Sequence, residues 1–286
     1  MGLRVPDIDD EQHDAGLWWC VVTYVLYAIP ASHPSATVER ALRLKGLPYK
    51  RVELIPVAHK AVVRARFGET TVPALAFPDG RRLAGSRTIL RALEEHAPSL
   101  LPPERDARRR AERAEEWGDQ VLQSVARRVV WAAVVRRPEV MDAYSASADL
   151  PVPRALARLS APLVARAARA ANHASDLTVR ADLAHLDHHL DRVDRWIADG
   201  VLGGEAPNVG DLQIAPSLAL LASVEDLAPV FADRPAPELA RRWFPDYPEG
   251  HVPAGTLPAA WLSQAASASS WATRATGRSA GSSTAA

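Results

Sequence analysis

The sequence predicts two packed parts, an α/β domain over roughly residues 21–98 and an all-helical domain over residues 105–262. Three observations predict this. The first hundred residues alternate strand-like and helix-like runs in the order β-α-β-α-β-β-α, and the strand signals cease beyond Pro103. Asp211 to Val224 is a nearly all-apolar run whose place is the centre of a helical core. With 286 residues the chain can bury two ordinary cores.

Val21-Val22-Thr23-Tyr24-Val25-Leu26-Tyr27 is β-branched and aromatic, the composition of a strand, and Pro30 stops it. From Ser35 the period changes: Val38, Ala41, Leu42 and the Lys45 stem fall at helical spacing, with Gly46 at the C-cap. Tyr49 to Ile55 reads as a second strand and Ala58 to Phe67 as a short helix closed by Gly68. Val72 to Phe77 and Arg81 to Ala84 flank the turn Pro78-Asp79-Gly80, so they form an antiparallel hairpin. Ser86 then caps a helix with Ile89, Leu90 and Leu93 inward, and Pro98 ends it.

Residues 99–104 are a linker, and a long helical pattern runs from Glu104 to Val135. Within it Val129 to Val135, bounded by Arg127-Arg128 and Arg136-Arg137, is far short of the ~20 apolar residues of a membrane span and reads as a buried helix segment. Leu183, Leu186, Leu190, Val193 and Ile197 form an apolar stripe ending at Gly200. Asn208 and Asp211 have the spacing of a capping box. Residues 1–20 and 263–286 are expected to be disordered tails, the latter rich in Ser, Ala, Gly and Thr.

Composition narrows the function. Lys+Arg 34 against Asp+Glu 34 leaves no electrostatic footprint for nucleic acid. The single Cys20 forms no internal disulfide, and the acidic amino terminus lacks the basic and apolar regions of a signal peptide; a soluble protein of a reducing, cytoplasmic compartment is expected, without a membrane partner. His185, His188 and His189 with Asp182, Asp187 and Asp191 have near-helical spacing for a metal, but they lie off the Leu186/Leu190 stripe and read as a solvated face with i,i+4 pairs; no metal is expected.

Four local segments stand in order along the chain: Leu26-Tyr27 through Ser32, with Val38, Ala41-Leu42 and Leu44 to Tyr49; Thr71-Val72-Pro73-Ala74-Leu75; Gly85-Ser86-Arg87-Thr88-Ile89; and Asn208 to Asp211. In that order and at those intervals they resemble the glutathione S-transferase superfamily, with a first motif closest to its serine-type, maleylacetoacetate-isomerase-like members. The resemblance implies a thioredoxin-like N-terminal domain, a glutathione-transferase-type helical domain, and a homodimeric detoxification enzyme. It would conjugate glutathione, or another low-molecular-weight thiol, to a small electrophile. A thiol-dependent cis-trans isomerase and a non-catalytic thiol-binding or scaffold protein are the alternatives.

The same resemblance implies the site. Ser32 would hold the thiolate, with Ser35 as the fallback hydroxyl. A thiol of pKa about 8.5 needs about 2.7 kcal/mol for a two-unit shift. A hydrogen bond to a charged group contributes about 1.5–3 kcal/mol and a helix amino end about 0.3–1 kcal/mol. Ser32-His33-Pro34-Ser35 stands where redox relatives carry Cys-x-x-Cys, so dithiol chemistry is excluded there. His33 is expected to face solvent. A cis Pro73 would turn the Val72 backbone to the thiol, and Ser86 with Arg87 would meet its γ-glutamyl end. Gly85 departs from the family, whose acidic residue at that position would face the ligand's amino group. Ile29, Pro30, Ala31, Trp117, Val121 and Ser124 are expected around the second substrate, with Trp117 equally placed to be interdomain core.

Overall fold

A computed structural model describes residues 23–262; the expected tails and Val21 and Val22 of the expected first strand lie outside that range. The α/β part holds β1 (Tyr24–Ala28), α1 (His33–Leu44), β2 (Tyr49–Glu53), α2 (His59–Phe67), β3 (Ala74–Ala76), β4 (Arg82–Ala84) and α3 (Ser86–Leu93), the predicted order. The sheet runs β2-β1-β3-β4, with β1 parallel to β2 and antiparallel to β3. Leu26 stands opposite both Arg51 and Leu75 in that register.

Alternation along β1 sorts the two faces. Tyr24, Leu26 and Ala28 are buried with Leu42, Leu75, Ile89 and Leu90. Tyr27 faces the other way, with Val52, Val63 and Phe67 beneath α2. The second strand ends at Glu53 rather than Ile55; Leu54 N–H still bonds Ala28 O at 2.8 Å, and Pro56 follows. Helix α1 begins at His33, two residues before the periodicity predicts, because Ser32 is its N-cap and Pro34 suits a first turn that needs no N–H.

The helical part comprises α4 (Arg105–Trp117), α5 (Gln123–Val134), α6 (Val140–Ala143), α7 (Arg154–Ala171), α8 (Asp176–Ala184), α9 (Leu186–Ala198), α10 (Val209–Ala222), α11 (Ala228–Phe231) and α12 (Ala236–Trp243). A π-turn at Gly118–Leu122 interrupts the helix expected from 104 to 135. The Leu183-to-Ile197 stripe is shared between α8 and α9, broken at His185, yet keeps one inward face. Helix α10 is buried from Val209 to Leu221 and opens with the expected capping box: Asn208 Oδ1 accepts from Gly210 N–H at 2.8 Å and Asp211 Oδ2 from Asn208 N–H at 3.0 Å. Burial pushes the Asp211 carboxyl up to about 6.

One continuous apolar core joins the two parts, because α10 packs against α1, α3, α4 and α5 together. None of the described helices is long and apolar enough to cross a membrane.

Candidate functional site

A cleft of about 740 Å3 opens between the two parts. Its α/β wall is the loop Ile29 to Ser32, the turn before α2 and the strip Thr70-Thr71-Val72; its helical wall comes mainly from α5 and α7. Pro30 ends β1, and the chain turns sharply through Ala31 at φ 52° with Ser32 N–H bonded to Ile29 O at 3.2 Å. The Tyr247 hydroxyl, kept neutral because burial raises its pKa well above 10, donates to Ala31 O at 2.7 Å and pins this loop to the helical part.

Ser32 sits at the mouth of α1 in an extended conformation, half-buried, and is among the residues that line the cleft. Its Oγ accepts the Ser35 amide at 3.3 Å and the Ser35 hydroxyl at 2.8 Å. Two donors fill the oxygen's lone pairs, so the Ser32 proton is left to donate. Ser35 is fully buried and its proton is committed to Ser32. The Val72–Pro73 bond is cis, and Val72 lines the cleft beside the Ser32 loop.

The structure moves other expected residues. His33 does not face solvent: it is 3% exposed, shares a 3.1 Å hydrogen bond through Nδ1 with Ser217 Oγ of α10, and leaves Nε2 without a partner. Burial, then the Arg127 guanidinium, holds its pKa well below the usual 6.5, so it is a neutral imidazole. Ser86 is the first residue of α3 rather than its cap, which is Gly85 at φ 90°. The Ser86 hydroxyl is buried against the helical part, accepting from Gln213 Nε2 at 2.9 Å and Gln123 Nε2 at 3.4 Å, and does not line the cleft. Arg87 is drawn to Glu115 and Glu116 of α4, each at 3.4 Å. Burial pushes Glu115 up to about 7 against the pull of Arg91 and Arg87.

Trp117, Val121 and Ser124 are not on the cleft wall; Ile29, Pro30 and Ala31 are. Trp117 packs edge-on to Trp196 at 5.2 Å and beside His189 at 5.7 Å, within the helical part. The cleft wall on α5 is instead Arg127, Val130, Trp131 and Val134, ten to seventeen residues beyond Trp117. In the sequence these residues read as a buried segment, although Arg127 and Trp131 stand four apart and so share one face of the helix.

The histidine-aspartate face is tied down by long-range pairs rather than the expected i,i+4 ones. Arg128 holds Asp182 in a two-point bond at 2.6 and 2.7 Å, and Arg234 holds Asp187, Asp191 and Asp194. Among the described residues no group of His, Cys, Asp and Glu is arranged to hold a metal ion.

Residues 26–104 match the family model described as Glutathione S-transferase, N-terminal domain. Three similar solved structures cover most of this chain and 99% of their own. Glutathione transferase F7 from Populus trichocarpa is 16% identical over 86% of this chain, with TM-score 0.52. FzlA from C. crescentus is 17% identical over 85%, with TM-score 0.51. A glutathione S-transferase from Sinorhizobium meliloti 1021 is 19% identical over 85%, with TM-score 0.50. No curated protein matches the chain. The fold is therefore that of glutathione S-transferases, a thioredoxin-like βαβαββα domain followed by a helical domain.

Proposed function

We propose that this protein is a cytoplasmic, homodimeric transferase that binds glutathione or another low-molecular-weight thiol in the interdomain cleft and conjugates it to an electrophilic carbon. The observation that carries the reading is the Ser35-to-Ser32 hydrogen bond, which leaves the Ser32 proton free to meet an anion at the amino end of α1. The thiol releases its proton to solvent and the sulfur stays as thiolate against Ser32 Oγ–H. The sulfur lone pair then forms the C–S bond, and the electrophile either expels its leaving group or takes up a proton from water. Val72, at the cis-proline turn, supplies backbone groups for the thiol.

One observation favours a thiol without the γ-glutamyl end, or a binding protein that has lost catalysis: Ser86 is bonded to Gln213, and Gly85 carries no carboxylate for an amino group. Titration of bound thiols tests both. With Ser32→Ala, thiolate absorbance against pH should show the bound thiol's pKa raised by one unit or more, worth about 1.4 kcal/mol per unit. An unchanged titration removes Ser32 from the chemistry, and failure of every thiol to bind removes the transferase reading.

A further inference from the structure

Arg127 presents an unanswered charge to the cleft. It stands on α5 in the helical wall, half-buried, and no carboxylate oxygen among the described residues lies within 4 Å of its guanidinium. Its hydrogen bond is a long one, 3.4 Å to Gln123 Oε1. The arginines around it are satisfied: Arg128 grips Asp182, and Arg158 on α7 holds Asp142 at 2.7 Å. Asp119, the carboxylate whose field reaches Arg127, accepts from Gln213 Nε2 at 2.9 Å instead. Burial pulls the Arg127 pKa below its ordinary value, the direction expected of a cation stripped of water without a partner. His33 is neutral beside it and adds no competing charge.

The surroundings of Arg127 define what would satisfy it. Trp131 and Val134 follow it along the same wall, and Ile29 and Pro30 face the cleft from the Ser32 loop. An arginine with free donors takes a planar oxyanion in two-point geometry, and the apolar groups around it take a hydrophobic body. We propose that Arg127 binds a carboxylate, or an equivalent oxyanion, on the second substrate, so that the electrophile taken by this cleft is an acid with an apolar body. The proposal rests on the assignment of the cleft to a thiol and a second substrate.

Direct binding separates the two readings, because it needs no thiol and no turnover. Calorimetry with naphthoate and its uncharged isostere naphthamide should show the full chain binding the acid about tenfold more tightly. Arg127→Met should abolish that preference, Arg127→Lys should keep part of it, and rising salt should shrink it. Lys60→Met, which removes a second cation lining the cleft, should leave the preference in place. A parent without the preference, a preference that survives Arg127→Met, or one that disappears with Lys60→Met would overturn the proposal. Glutathione and its glycine amide give the remaining arm: if Arg127→Met weakens glutathione but not the amide, the anion belongs to the thiol and the second-substrate assignment falls. Loss of the Ser32 effect on thiol titration, with the naphthoate preference intact, would sink the transferase reading alone.

Discussion

The Thr37 hydroxyl donates to Leu212 O at 2.7 Å, across the boundary between the two parts. Leu212 is four residues before Pro216, which has no N–H, so this carbonyl is the one that α10 leaves without its helical donor. Helix α1 thus repairs a proline defect in α10, and it is the helix whose amino end carries Ser32. Replacing Thr37 with Val keeps the shape and strands the buried carbonyl, which costs about 1–3 kcal/mol. Denaturant unfolding should show that loss with an unchanged slope. A Thr37→Val variant as stable as the parent would mean that water satisfies Leu212 O.

His33 gives the chain an acid sensitivity that can be isolated. Its folded pKa is depressed by burial and by Arg127, so below about 6.5 the unfolded chain takes up a proton that the folded chain refuses. Stability therefore rises with pH through this window and falls on acidification, by up to about 1.4 kcal/mol per pH unit. His59 and His189 are shifted the same way, so the quantity to read is the difference between parent and His33→Gln, whose amide can still reach Ser217. The parent should lose stability faster than the variant from pH 6.5 downward. Parallel slopes would show that His33 is protonated in the folded chain.

Gly85 is demanded by the backbone. At φ 90° and ψ 131° it lies where other residues are strained, although an added Cβ would meet nothing closer than Thr88 Oγ1 at 3.8 Å. Gly85→Ala should cost about 1–3 kcal/mol through conformation alone. Gly204→Ala, exposed and at ordinary φ, should be nearly neutral. Gly85→Glu carries the same strain, so any gain in binding an amino group must be measured on a less stable protein. Equal stability of the Gly85 and Gly204 variants would remove the conformational account.

Features set by neighbours along the chain were legible in the sequence. The β-α-β-α-β-β-α order, the glycine after α2, the capping box of Asn208 and Asp211, and the serine at the mouth of α1 each follow from residues within a few positions. What long-range packing decides was not legible. His33 looks like a polar residue in a loop, and only α10 lying across α1 buries it against Ser217. Ser86 has the composition of a cap, yet Gln213, 127 positions away, claims its hydroxyl. Trp117, expected beside the second substrate, packs against Trp196, while the cleft is lined from Arg127 onward, and a π-turn at Gly118–Leu122 lies between them. Such a turn adds a residue to the helical period and shifts everything beyond it.

That π-turn begins at Gly118, where α10 comes close. A Cβ on Gly118 would lie 2.8 Å from Ile214 Cγ1 and 3.3 Å from Gln213 Cγ, so glycine is what lets α10 pack this tightly. Gly118→Ala should therefore over-pack the interface and cost about 1–3 kcal/mol. The damage should reach the domain boundary, because Gln213 ties Asp119 to Ser86, both at 2.9 Å. Hydrogen exchange at the first turn of α3 should speed up more than exchange in α7, which lies away from this contact. Ile214→Ala removes the atom that clashes, and the two substitutions together should destabilise by less than the sum of each alone. Strict additivity would show that the backbone moves rather than the side chain, and the close approach at Gly118 would then not be what sets the position of α10.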